Sequence, residues 1–479
     1  MKLSVLAEEI VSPDPDIAGL AVDSRLVEKG FLFAAMPGEQ SDGRQFIPQA
    51  EKKGAAGILS TDGAITMLPL IVDDNPRKRL SRMASIFYDR QPAEIFGITG
   101  TNGKTSTARF VAQLFSLLGK KSGSIGTLGA QGDDFSRALQ HTTPEPITLH
   151  ETLHDMAEVG VAHVAMEVSS HALAQHRADG VQFSGCAFIN ITQDHLDYHA
   201  DFDDYFEAKA RLFVELAVKG SPAVINMDGA GGPEMASKAR EHGLKVFTTG
   251  RAGTDLRIEN IQTKPEGLLV NVQCAGRDYA LALPLIGAFQ AENALVAAGI
   301  VIASGVAAAN VLPLLPKLCA VPGRMQLAAE IGGAHIYVDY AHTPDAIATA
   351  LQAAKPHARG RVIVIVGAGG DRDRSKRPLM GAAAAAHADL VIVTDDNPRN
   401  ESPETIRRCV IEGCPDAIEV ADRASAIAEG VRMLHKGDIL LIAGKGHEQG
   451  QVVGTKILPF DDVAVAKAAV ATQSREMGV

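Results

Sequence analysis

The segment Ile95–Thr107, IFGITGTNGKTST, collects the residue types that hold a polyphosphate. Gly100 and Gly103 allow a loop to turn its backbone N–H groups toward one point, and a helix starting there adds the positive end of its dipole. Lys104 would reach the outer phosphates, and the Thr105 hydroxyl would sit on a bound Mg²⁺. The run Thr99, Gly100, Thr101, Asn102, Gly103, Lys104, Thr105 is thus the expected nucleotide loop. In the longer phosphate-loop pattern a further glycine stands where this chain has Ile98, so only the compact form is present. A bare turn is the alternative, and the strand–loop–helix context favours the nucleotide.

More chemistry stands where apolar runs end. Glu167-Val-Ser169-Ser170-His171 closes the strand candidate Val161–Val168, and Asn190 to His199 closes Cys186–Ile191; Ala223–Met227 is a further strand. Ligands of open parallel sheets lie beyond the carboxyl ends of the strands. Glu167 and His195 are therefore expected to converge on the metal that Thr105 holds. A surface carboxylate and a capping imidazole are the plainer readings. His195 and His199, at i, i+4, could also pair on zinc, but no HExxH accompanies them and a phosphate loop favours Mg²⁺.

Four later strand candidates, His335–Val338, Val362–Val366, Leu390–Val393 and Ile439–Ile442, also run into polar clusters. These are Asp339-Tyr-Ala-His342, Gly370-Asp-Arg372-Asp-Arg374, Thr394-Asp395-Asp396-Asn397-Pro398-Arg399 and Gly444-Lys-Gly-His447-Glu448. Four such ends along one sheet edge mean a binding surface.

Positioning these clusters takes apolar strands alternating with helices, the rhythm of a parallel α/β sheet. A chain of 479 residues exceeds one core. The expected fold class is α/β in three domains. Residues 1–90 form a small α/β module with Val22-Asp23-Ser24-Arg25 and a polar loop, Pro37–Arg44. Residues 91–322 carry the phosphate-loop sheet, and 323–479 a Rossmann-like domain. Ala294–Ala309, Ala-rich and too short to span a membrane, reads as a buried helix. The net charge of −11 argues against a nucleic-acid or membrane-surface binder. Five cysteines without metal-ligand spacing fit a reduced, cytoplasmic setting, and the N-terminus lacks a signal-peptide pattern.

The motifs TGTNGKT, MEVSSH, DHLDYH, Tyr205–Phe213 (YFEAKARLF), GRMQ, DYAHTPDA, GGDRDRSKRP, DNPR and GKGHE stand in the order found in Mur ligases. The chain resembles that family over nearly its whole length, and within it the members that add the third amino acid. The resemblance implies an N-terminal domain for a UDP end, a central ATPase and a C-terminal domain for the incoming amino acid. It implies an ATP- and Mg²⁺-dependent ligase that joins meso-diaminopimelate to the D-Glu γ-carboxylate of UDP-MurNAc-L-Ala-D-Glu through an acyl phosphate. By the same resemblance, Val22, Ser24, Glu39, Gln40 and Ser41 hold the uridine end. Thr142, Thr143, Ser169, Gln175 and Arg177 grip the muramoyl-dipeptide, joined by His141, where some relatives have Asn. Lys104, Glu167, His195, Lys209 and Arg177 are the implied catalytic set, with Lys209 carbamylated and, with Thr105, Glu167 and His195, on the metal. Asn293, Arg324 and Asp339 resemble nucleotide contacts, and Arg372, Asp396, Asn397, Pro398, Arg399, Gly444 and Glu448 match the diaminopimelate site. Left to itself, Lys209 would point to solvent or pair with Asp203 or Glu207. The implied partners are small molecules and the implied state a monomer. A lysine-adding or folylpolyglutamate-type ligase and a nucleotide-gated binding protein are the rivals.

Overall fold

The computed structural model describes residues 1–38, 41–192 and 198–477. The chain divides into two compact units, Met1–Arg257 with Leu295–Val311, and Ile258–Ala294 with Leu312–Val479. It passes between them three times, within the strand Leu256–Lys264, within the helix Ala288–Ala303 and between Val311 and Leu312.

The first unit opens with a four-stranded parallel sheet, Gly19–Ala21, Phe31–Ala35, Gly57–Ser60 and Leu70–Val72 in that order. The helix Pro76–Tyr88 packs Leu80, Met83 and Ala84 into a core with Leu3, Leu6, Leu32 and Leu59. It starts sharply because the Asn75 side chain accepts the Lys78 N–H and proline takes the first turn, where its missing N–H costs nothing.

The unit's larger sheet centres on the strand Glu94–Thr99, paired in parallel with His163–Glu167 on one side and Phe183–Phe188 on the other. Pro222–Asn226 and Lys245–Gly250 extend it beyond Phe183–Phe188; Ser122–Gly126 and the antiparallel Gly129–Gly132 and Phe135–Arg137 extend it beyond His163–Glu167. Both faces of Glu94–Thr99 are covered, so Ile95, Phe96 and Ile98 are all buried, as a central parallel strand requires. Phe96 stacks on Phe115 of the helix Lys104–Leu117, with ring centroids 5.7 Å apart. The strands lie within a few residues of their expected places. The helix expected over Ala294–Ala309 instead runs Ala288–Ala303 and stops at Gly305, whose φ of +107° a helix cannot continue.

In the second unit a six-stranded sheet has the order Gln326–Ile331, Ala334–Asp339, Ile439–Ala443, Val362–Val366, Leu390–Val393, Ile418–Glu419. Only the first pair is antiparallel. Chain order reverses between Ile439–Ala443 and Val362–Val366, which makes the crevice at their carboxyl ends the switch point of the sheet. Among the described residues no helix is long and apolar enough to cross a membrane.

One buried group in the first unit gives a pH-dependent stability. His150, on the helix Pro146–Glu158, is 1% exposed and neither ring nitrogen has a hydrogen-bond partner. Burial holds its imidazole down to about 4. The unfolded chain takes up this proton near the ordinary value while the folded chain resists until about pH 4. Stability is therefore complete above about pH 6.5 and falls by roughly 3 kcal/mol as pH drops to about 4. In His150→Leu the urea-unfolding free energy should lose that part of its slope between those pH values; an unchanged slope would show that other groups set it.

Candidate active site

The phosphate loop begins where Glu94–Thr99 ends. Gly100 takes φ +158° with Ile189 and the Asn190 carbonyl so close that a Cβ would sit 3.1 and 3.2 Å from them. Gly103, at φ +87°, opens the helix Lys104–Leu117 and carries no side chain to cap its first N–H groups. The loop is braced from the neighbouring strand end. The Thr101 N–H donates to the Asn190 carbonyl at 3.0 Å, and the Asn102 N–H to Asn190 Oδ1 at 3.0 Å. Thr101 Oγ1 also meets the Tyr205 hydroxyl at 3.0 Å. Lys104 folds back over the loop, its Nζ donating to the carbonyls of Gly100 (2.8 Å) and Thr101 (2.9 Å).

Glu167 is 2% exposed, which overturns the surface-carboxylate reading. Its Oε2 accepts the Thr105 hydroxyl at 2.9 Å and its Oε1 the Thr127 N–H at 2.8 Å. The carboxylate lies against Gly126, where a Cβ would come within 2.0 Å of Oε1. A hydroxyl and a carboxylate at the foot of a phosphate loop are hard oxygen donors, the set Mg²⁺ takes together with phosphates and water. His195, Glu39 and Gln40 lie outside the described residues. His199 is buried, its Nδ1 3.1 Å from Asp204 Oδ2 and its ring 5.2 Å from that of Tyr205. Among the described residues no group of three or more His, Cys, Asp and Glu could hold a metal.

Lys209 does not point to solvent or to Asp203 or Glu207. It is 1% exposed, lies 4.4 Å over the Tyr205 ring and donates to the Gly100 carbonyl at 3.1 Å; Glu207 pairs with Lys238 instead. The helix Phe202–Arg211 buries Tyr205, Phe206 and Lys209 on the face turned toward the loop. Lys104 and Lys209 thus meet at one carbonyl, 105 positions apart in sequence.

Beside Glu167 the other expected residues form a second network. The Thr143 hydroxyl donates to the Glu167 carbonyl at 2.9 Å and accepts the Ser169 N–H at 3.1 Å; Thr142 Oγ1 is 3.0 Å from that of Thr127. Arg177 donates to the Thr143 carbonyl (3.0 Å) and to Gln175 Oε1 (2.6 Å), and pairs with Glu145 at 2.9 Å. Gln175 Nε2 donates to the Tyr198 hydroxyl at 3.2 Å. Ser24 is buried with its hydroxyl on Gln49, whereas Val22, Ser41 and His141 are exposed.

In the second unit, the four polar strand ends become neighbours at the switch-point crevice. Asp396 and Asn397 are nearly buried. Gly444 must lack a side chain, since a Cβ would stand 2.6 Å from Asp396 Oδ2. Asn397 Nδ2 donates to Glu448 at 2.9 Å. Arg399 anchors Nη1 on the carbonyls of Gly370 (2.8 Å) and Asn397 (3.4 Å). Arg372 is exposed. Asn293 Nδ2 bonds Gln290 at 3.1 Å, and the Arg324 guanidinium lies 4.7 Å over the Tyr340 ring. Asp339 accepts the N–H groups of Met325 (2.7 Å) and Ala341 (2.8 Å), while burial, against the pull of Arg324, pushes its carboxyl up.

Sequence reasoning missed two residues here. Lys445 is fully buried, with Nζ on Asn397 Oδ1 (3.0 Å) and Glu448 Oε2 (2.9 Å). Burial alone would raise the Glu448 carboxyl, and these bonds outweigh it and hold it below the ordinary range. A lysine between Gly444 and Gly446 was a usable signal. Arg423, fully buried, clasps Asp462 at 2.7 and 2.8 Å and stands 4.0 Å from Asp396. It lies in an ordinary amphipathic helix, so nothing local marks it.

Three family models match the chain: Mur ligase family, catalytic domain over residues 16–91; Mur ligase middle domain over 98–301; and Mur ligase, glutamate ligase domain over 323–446. The chain is 46% identical over 475 residues to the UDP-N-acetylmuramoyl-L-alanyl-D-glutamate–2,6-diaminopimelate ligase of Caulobacter vibrioides, covering 97% of each. It is 45% identical to the Bradyrhizobium diazoefficiens enzyme of the same name, covering 96% of each. A solved structure of a ligase of that name superposes with a TM-score of 0.73 at 34% identity over 95% of both chains. MurF from Thermotoga maritima, solved in complex with ADP, shares the fold alone, at 15% identity and a TM-score of 0.61 over 96% of this chain and 98% of that one.

Proposed function

The chain belongs to the Mur ligase family, and on that premise we propose how its residues carry out the family's reaction. The activity is ATP-dependent addition of meso-2,6-diaminopimelate to the D-Glu γ-carboxylate of UDP-MurNAc-L-Ala-D-Glu, a step in peptidoglycan precursor synthesis. The observation that carries the site assignment is the meeting of Lys104, Thr105, Glu167 and Lys209 around one loop.

The loop amides and the N-terminus of the helix Lys104–Leu117 bind the ATP phosphates, with Lys104 turning from its carbonyls to the outer ones. Asn293, Arg324 and Asp339 hold the nucleoside end. Thr105 and Glu167, with His195, would hold Mg²⁺, which when bound offsets the charge between phosphate and carboxylate. Arg177 orients the γ-carboxylate, whose oxygen attacks the γ-phosphorus; the bond to ADP breaks and an acyl phosphate forms. This step needs positioning and charge compensation more than covalent help. The neutral amine of diaminopimelate then adds to the acyl carbon, and phosphate leaves with the C–O bond. His342, whose Nδ1 lies 2.8 Å from the Tyr340 carbonyl, suits the role of accepting the amine's proton at its other ring nitrogen. The three domains 1–90, 91–322 and 323–479 divide these tasks, in a cytoplasmic monomer.

Lys209 acts as a carbamate. An ammonium beside the metal would raise the cost of binding it. Loss of the amine's proton and addition of CO₂ turns the cation into a long-armed carboxylate that positions metal and acyl phosphate. Lys209→Ala should bind ATP normally and turn over about a hundredfold more slowly. Added short carboxylic acids should restore part of the rate; undiminished turnover in this variant would exclude the carbamate.

The activity is tested by phosphate release with UDP-MurNAc-L-Ala-D-Glu and a panel of amino acids. Release should require both the nucleotide-linked acceptor and diaminopimelate. ATP hydrolysis indifferent to both would favour a nucleotide-gated switch.

A further inference from the structure

His176 stands between Gln175 and Arg177 and has no part in the chemistry above. Its backbone takes φ +56°, the left-handed region a side chain seldom adopts without compensation. The turn sends Gln175 and Arg177 back onto each other, with Arg177 Nε and Nη2 at 3.1 and 2.6 Å from Gln175 Oε1. The His176 ring is bolted to two other elements. Its Nε2 is 2.9 Å from Asn75 Nδ2, at the start of the helix Pro76–Tyr88. Its Nδ1 is 2.8 Å from Asp179 Oδ1. That same Asp179 oxygen accepts Arg211 Nη2 at 3.1 Å, and Arg211 ends the helix that carries Lys209.

Asn75 Oδ1 is committed to the Lys78 N–H, so its Nδ2 faces His176 Nε2 as a donor. On the other side of the ring, Nδ1 lies between Asp179 Oδ1 at 2.8 Å and Arg211 Nη2 at 3.0 Å, so the imidazole touches the Lys209 helix directly. The Ser81 hydroxyl reinforces the same seam: it donates to the Arg177 carbonyl at 3.1 Å and accepts the Gly180 N–H at 2.9 Å. One side chain therefore joins the N-terminal module, the Gln175–Arg177 turn and the Lys209 helix, which are separated in sequence.

We propose that His176 is a positioning residue that couples the seating of the N-terminal module to the placement of Gln175 and Arg177 on the nucleotide-linked dipeptide. This rests on the reading of Arg177 as a substrate grip. The test uses three variants of the full chain. His176→Gly relieves the positive φ and removes the ring; Asn75→Ser keeps a good helix cap and removes the donor to Nε2; Arg177→Ala checks the grip itself. In both His176→Gly and Asn75→Ser the KM for UDP-MurNAc-L-Ala-D-Glu should rise about tenfold while the KM for ATP stays unchanged, since one neutral hydrogen bond can be worth about that factor. His176→Asn, which tolerates the left-handed backbone and retains polar atoms, should recover part of the loss. Equal rises in both KM values, or a lowered melting temperature with unaltered kinetics, would make His176 a merely structural residue and overturn the proposal. Arg177→Ala with an unaffected KM would instead overturn the grip, and a defect in Arg177→Ala alone would overturn the role of His176 while sparing the grip.

Discussion

Diaminopimelate should be preferred over lysine by about 10⁴ in kcat/KM, because the two differ by a distal carboxylate, which on the proposed reading Arg399 receives in the crevice of the second unit. Arg399 is half-buried and fixed at one end, Nη1 on the carbonyls of Gly370 and Asn397. Its Nε and Nη2 donate to no protein atom among the described residues and form the parallel pair a carboxylate accepts in a bidentate way. The anchor costs backbone strain, φ +52°, and the Arg399 N–H is held by the Val452 carbonyl at 3.0 Å. Lysine offers that fork nothing, so the guanidinium would lose water without gaining a partner. Asp396 and Glu448, both acceptors, suit the ammonium at the same end of diaminopimelate. Arg399→Met should reduce the discrimination to within about tenfold of unity, chiefly by losing diaminopimelate activity. Equal kcat/KM for the two amino acids with the unaltered enzyme would show that the crevice reads something other than the carboxylate.

Lys104→Ala should abolish turnover, by about a thousandfold or more, and leave a folded protein. The lysine donates to two loop carbonyls, and the helix it begins is held by buried Phe110, Val111, Leu114 and Phe115. Removing Nζ therefore leaves the apolar packing of the helix intact and, on the proposed mechanism, deletes the cation that meets charge moving from the γ-phosphate in the transition state. Phosphate release should fall far more than ATP affinity, which the loop amides and the helix N-terminus still support. Circular dichroism and the melting temperature establish that the variant is folded. Near-normal phosphate release by such a protein would remove this loop from the mechanism.

These two expectations draw on different kinds of legibility. The loop from Thr99 to Thr105 could be read locally, because a strand, two glycines and a helix start are neighbours in the chain and their backbone geometry follows from residue type. The same holds for the strands Val362–Val366 and Leu390–Val393, which coincide with their expected ranges. Burial was less visible. Glu167 and Lys209 each had a plausible solvent-exposed reading, and each proved to be almost inaccessible, because Gly126 and Thr127 close over Glu167 and the Gly100 carbonyl receives Lys209 from elements distant in sequence.

Residue periodicity and glycine placement by themselves determined the parallel α/β character, the phosphate loop and the polar strand ends, since each depends on interactions within a few positions. Only the tertiary structure decided which ends face one another. The insertion of Ile439–Ala443 between Ala334–Asp339 and Val362–Val366 puts Gly444 against Asp396, Lys445 on Asn397 and Arg423 behind them. Likewise, the strand Glu94–Thr99 lies between His163–Glu167 and Phe183–Phe188, and this brings Thr105 to Glu167 and the Gly100 carbonyl to Lys209. Those pairings are set by strand order, which the chain chooses by the packing of whole faces, and no short stretch of sequence carries that free energy.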